Sequence, residues 1–125
     1  MKRRQVLQAL GSAVLGWPWA ARLEAAQQTR PCKILFFSRS VLFEHPVVRR
    51  QGEELSLGEK TFVNMARQIG CEVECTKDGR VFDRDLDAYA AVVSYTCGRP
   101  ADLMKPDSPD HTPPVSESCW KKLDA

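Results

Sequence analysis

The chain has 125 residues, of which 43% are hydrophobic and 27% charged, and a formal net charge of +2. Its positive excess belongs to the first residues, because removing 1–25 takes away Lys2, Arg3, Arg4, Arg22 and Glu24 and leaves a net charge of −1. Beyond Arg49-Arg50 no basic cluster with interleaved aromatics remains, so the composition argues against nucleic-acid binding.

Lys2-Arg3-Arg4-Gln5-Val6-Leu7 precedes an acid-free, moderately apolar stretch that runs to about Ala21. This is the pattern of an export signal, and the paired arginines favour the twin-arginine route over an ordinary secretory signal, although Val6 and the lack of a polar residue before Arg3 depart from the full motif. Pro18 interrupts the stretch and Arg22 closes it, short of the roughly 20 apolar residues a membrane span needs. Leu23-Glu24-Ala25 offers a cleavage site. The expected organisation is a signal over 1–25, read by the export machinery, and one α/β domain over 26–125 with no stable membrane span and a periplasmic or extracytoplasmic location.

The short apolar run Ile34–Phe37, followed directly by Ser38-Arg39-Ser40, predicts a strand covered on both faces that opens into a polar loop. Ser56-Leu57-Gly58-Glu59 has the form of a capping box, and Phe62, Ala66 and Ile69 recur at helical spacing before Gly70, which predicts a helix over 57–69. Cys71–Cys75 alternates apolar and acidic residues as a half-exposed strand does, and Asp78-Gly79 turns the chain. Phe82, Leu86 and Tyr89 suggest one short helical turn. Ala90–Thr96 reads as a third strand, evenly apolar and so expected at the centre of the sheet. Pro100–Pro114 is a proline-rich polar loop, and Ser116 caps a last helix that has run only two or three turns at Ala125. This order predicts a flavodoxin-like doubly wound parallel sheet, incomplete with three strands. A frayed natural C-terminus and the first part of a longer protein both fit the ending.

Lys33-Ile-Leu-Phe-Phe-Ser-Arg-Ser, Phe43-Glu-His-Pro, Cys75-Thr-Lys-Asp-Gly-Arg-Val-Phe-Asp and Tyr95-Thr-Cys-Gly together resemble the N-terminal part of the ThuA-like (trehalose utilisation) family, over about 33–125. The resemblance implies a class I glutamine amidotransferase-like, flavodoxin-related fold and an exported role near carbohydrate metabolism, with a sugar-type small molecule as partner. It implies no cofactor. Family members continue into further strands, including one followed by a loop with glycine and histidine, which lies beyond the residues matched here.

Loops at the carboxyl ends of neighbouring parallel strands converge on one crevice, so Ser38, Arg39, Ser40, Cys97 and Gly98 are candidate ligand-binding residues and His45 a candidate catalytic base or metal ligand. Each has a plainer reading. Arg39 suits a carboxylate or phosphate but could pair with Glu44, and His45 could simply hydrogen-bond its own loop. Cys97 lacks the flanking glycines of a nucleophile elbow, Tyr95 and Arg99 standing in their places. An odd cysteine count prevents complete internal pairing. Cys71 and Cys75, about 13 Å apart along a strand, cannot share a disulfide or a metal, which leaves buried small hydrophobes as the preferred reading of these thiols. Asp83, Asp85 and Asp87 have alternate spacing but lack the glycine and closing glutamate of a calcium loop. No metal site is expected. A sugar-processing enzyme, a non-catalytic binding module and a truncated product without activity of its own all remain open on these residues.

Overall fold

A computed structural model describes residues 31–123, all but the first of them in the compact unit Cys32–Ala125. The export signal expected over 1–25 lies outside the described residues. Three parallel strands, β1 (Cys32–Phe37), β2 (Cys71–Thr76) and β3 (Ala91–Ser94), form one sheet in the order β2-β1-β3. This is the order in which a flavodoxin-like sheet begins. Helices α1 (Leu57–Gln68) and α2 (Glu117–Leu123) and three 3-10 turns, Pro46–Val48, Gly79–Asp83 and Pro100–Met104, complete an α/β fold.

Successive side chains of β1 point to opposite faces, and each face finds a cover. Phe36 stacks on Phe62 of α1 with ring centroids 4.8 Å apart. Phe37, on the other face, meets Phe82 edge-on at 4.9 Å and joins Leu35, Val81, Val115 and Cys119 in the main core. The unbroken apolar run of β1 thus follows from burial on both sides. The opposite holds for β3, whose even apolarity suggested a central strand: among the described residues it pairs only with β1, at an edge, and Val92 is 44% exposed. Two valines flanked by alanine and serine give high strand propensity without requiring burial.

Both halves of the capping box are made at the start of α1, where Ser56 Oγ accepts from the Glu59 N–H at 3.3 Å and the Glu59 carboxylate accepts from the Ser56 N–H at 2.8 Å. The helix stops at Gln68, with Ile69 as its C-cap and Gly70 at φ +74° just beyond. Ile69 is exposed, so the packed face is carried by Phe62 and Ala66 without it. Ser116 Oγ accepts from the Cys119 N–H at 3.2 Å and caps α2 as its sequence requires.

The turn expected around Phe82, Leu86 and Tyr89 falls earlier, at Gly79–Asp83, because the Asp78 carboxylate accepts from the Arg80 N–H and starts it there. Leu86 and Tyr89 reach the core from the following loop. Gly79 is required by a close approach: a Cβ there would stand 2.3 Å from the Val115 nitrogen, and the Gly79 N–H donates to the Pro113 carbonyl at 2.9 Å. Part of the proline-rich segment is ordered as the Pro100–Met104 turn, with Pro100 at its first position.

Cys32 and Cys71 face each other in register across β1 and β2 and form a disulfide with a Cα–Cα separation of 4.6 Å. This corrects the reading of Cys71 as a small buried hydrophobe. Strand register, which the linear spacing of cysteines does not reveal, brings together two residues 39 apart.

Candidate functional site

β1 is followed by Ser38-Arg39-Ser40, all fully buried. Arg39 turns inward and donates to three carbonyls of the segment that follows β3: Leu103 at 2.8 Å, Lys105 at 2.6 Å and Thr112 at 3.3 Å. Burial pushes its guanidinium down from its ordinary value, with Asp110 acting the other way. Its role in the fold is a strut that holds residues 103–112 over the end of the sheet. It does not pair with Glu44, whose carboxylate goes to Arg49 and Lys77. Ser38 Oγ donates to Glu59 at 3.3 Å, and the Ser40 N–H donates to the Asp110 carboxylate at 2.8 Å. Among the described residues the buried Ser40 Oγ finds no hydrogen-bond partner.

The expected adjacency of the loops after β1 and β3 is realised. Ser40 and Cys97 form an isolated parallel bridge, and the Val41 N–H donates to the Cys97 carbonyl at 3.1 Å. Gly98, at φ +116°, lies against Val41, Leu42 and Asp102. His45 is elsewhere: it is exposed, its ring sits edge-on to Phe43 at 5.0 Å, and its carbonyl accepts from the Val48 N–H at 3.0 Å.

The pocket that opens at the carboxyl ends of β1 and β2 is a cleft of about 510 Å³, lined by Glu44, Arg49, Arg50, Lys77, Asp78 and Asp110, with Gly52, Thr76, Pro109 and Thr112. Its floor is Lys77, only 6% exposed, whose Nζ donates to the Ser38 carbonyl at 3.0 Å and to Glu44 at 3.1 Å and lies 3.5 Å from Asp110. Asp110 is fixed in turn by Ser108 Oγ at 2.8 Å and Thr112 Oγ1 at 2.7 Å. Burial raises the Asp110 carboxyl, but these donors, the Ser40 N–H and Lys77 outweigh it and hold the group below the usual carboxylate range. Glu59 is governed the same way, burial being overcome by Arg50 and Ser56. Arg50 grips it with two nitrogens, at 2.6 and 2.9 Å, and donates to the Cys75 carbonyl as well.

No family model, curated protein or solved structure matches this chain. The site must therefore be judged on its chemistry. Cys75 is half-buried and its thiol is pushed up to about 11, chiefly by burial, so it is a protonated thiol at neutral pH and a poor nucleophile. Among the described residues no group of three His, Cys, Asp or Glu side chains converges as metal ligands.

Lys77 and Asp110, the two charges at the heart of the cleft, escaped the sequence reading. Lys77 directly follows β2 as Ser38 follows β1, and applying the strand-end rule to every strand would have found it. Asp110 carried a weaker signal: Ser108-Pro-Asp-His-Thr112 is rich in side chains that close turns on their own backbone, and here Asp110 is followed by His111 at φ +52°.

Proposed function

We propose that this chain is a ThuA-like domain, exported from the cytoplasm, that binds a carbohydrate-type small molecule in the cleft between the ends of β1 and β2. The observation that carries the reading is a cleft of about 510 Å³ at the carboxyl ends of parallel strands, the position where open α/β sheets take ligands. Its lining favours a ligand rich in hydroxyls, since charged and hydroxyl side chains held in place by one another offer donors and acceptors at fixed positions. The Cys32–Cys71 disulfide supports an oxidising compartment and so agrees with export.

Binding is favoured over turnover within this reading. His45 does not line the cleft, Lys77 is held by two partners, and the nearby Cys75 thiol stays protonated. Ligand-observed NMR of the full chain with glucose, trehalose and mannitol tests the proposal. Binding is expected, weakened at least about fivefold by Arg49→Ala, which removes an exposed guanidinium from the rim, and unchanged by His45→Ala. Absence of binding by all three, or binding indifferent to Arg49→Ala, would overturn the cleft. Conversion of a sugar that stops with His45→Ala would replace the binding module by an enzyme.

A further inference from the structure

Building on the proposed carbohydrate cleft, we infer that it selects uncharged sugars or polyols and rejects phosphorylated and carboxylated ones. The charges of its walls are already committed to one another or to neighbours. Three cations, Arg49, Arg50 and Lys77, and three carboxylates, Glu44, Asp78 and Asp110, line the walls. All six are already engaged by fixed partners. Arg49 lies on Glu44 at 3.3 Å, Arg50 is locked on the fully buried Glu59, and Lys77 sits between Glu44 and Asp110. Asp78 is held by Arg80 from outside the cleft at 2.6 Å.

Among the described residues, a phosphate or carboxylate entering this cleft meets no guanidinium free of a carboxylate. To obtain one it must compete with Glu44 for Arg49, or draw Arg50 away from Glu59 and leave a buried carboxylate uncompensated, while Glu44, Asp78 and Asp110 repel it from the walls. A neutral hydroxyl makes no such demand. Three kinds of group remain for it. Lys77, bonded to Ser38 and Glu44 and in a longer 3.5 Å contact with Asp110, has one N–H not yet taken up by a hydrogen bond. Thr76 Oγ1 accepts from the Asp78 N–H and keeps its own proton to give, whereas Thr112 Oγ1 gives its proton to Asp110 and keeps lone pairs to accept. Gly52, at φ +63° with no heavy atom within 4 Å of a would-be Cβ, leaves that wall open to a bulky uncharged ring.

The test compares dissociation constants of the full chain, at one ionic strength, for trehalose, glucose and mannitol against trehalose 6-phosphate, glucose 6-phosphate and glucuronate. Neutral probes are expected to bind on the order of tenfold more tightly than their charged counterparts. Glu44→Gln removes one lining carboxylate and the charge that Arg49 and Lys77 share, and should shift the ratio toward the phosphates by about tenfold. Asp78→Asn, at the more exposed rim, should shift it in the same direction and serves if the first variant does not fold. Charged probes binding as tightly as neutral ones would overturn the selectivity while leaving the cleft as the binding site. An unchanged ratio in a folded variant would remove its electrostatic basis. Failure of every probe to bind would remove the cleft reading itself, and the inference with it.

Discussion

Arg39 illustrates how one side chain can be noticed in a sequence and still be assigned the wrong surroundings. Its place after β1 was legible, because an apolar run gives way to polar residues there, but the direction of a long side chain depends on partners far along the chain. The three carbonyls it meets belong to residues 64 to 73 positions later, in a segment whose prolines announced only irregularity. Arg39→Met should keep the apolar stem and strand the Lys105 carbonyl, while Leu103 keeps the Val115 N–H and Thr112 keeps Ser108 Oγ, at a cost of about 2 kcal/mol, read as a lower urea midpoint. The loss should appear in stability with or without any ligand, and hydrogen exchange should accelerate first in residues 103–112. Lys77 presents the converse case. A lysine between Thr76 and Asp78 looks like an ordinary solvated charge, and only the approach of Glu44 and Asp110 from two other loops makes it a cleft floor.

Among the elements, α1 and the three strands were readable to within a few residues, since each carries its own period, its own cap or its own stop. α1 is the clearest, with a capping box that closes as Ser56 and Glu59 demand. What no single element discloses is its neighbour. The edge position of β3 and the pairing of Cys32 with Cys71 both arise from register between strands, which is settled by packing once the sheet assembles. The disulfide closes a loop across a sequence separation of 39, and its removal as the Cys32→Ser/Cys71→Ser pair should lower stability by about 4 kcal/mol in the chain-entropy account. Equilibrium unfolding with and without a reductant checks this, and an unchanged midpoint would mean the two sulfurs are not joined in solution. Because the bridge lies at the amino ends of β1 and β2 and the cleft at their carboxyl ends, ligand affinity of the folded fraction should survive reduction.

For the molecule as a whole, stability should depend on acid in one direction. Asp102 is held well below the usual carboxylate range by Arg99 and Lys105, and Asp78 is lowered by Arg80. Glu59 and Asp110 are lowered too, despite the opposing effect of burial. A carboxyl depressed in the folded state contributes stability that is complete above its unfolded value, about pH 4, and is lost as pH falls through the folded one. Urea midpoints should therefore change little through the carboxylate window above about pH 5 and fall steeply below about pH 4. None of the site residues named from the sequence, Ser38, Arg39, Ser40, His45, Cys97 and Gly98, lines the cleft. The α/β class was legible because it follows from the order of elements. The balance of charge in the cleft was not, since its six ionised residues come from three separate loops and acquire their meaning only as pairs.

The central position of β1 also sets a timetable. Among the described strands it is the first to be synthesised, yet it is completed late: one neighbour arrives with Cys71–Thr76, the other with Ala91–Ser94, and the partners of Arg39 only with Thr112. A growing chain therefore carries Ile34–Phe37 and a charge destined for the interior long before either has anywhere to go. Such a chain gains most from being kept unfolded by a holding factor until the loop that carries Thr112 is made.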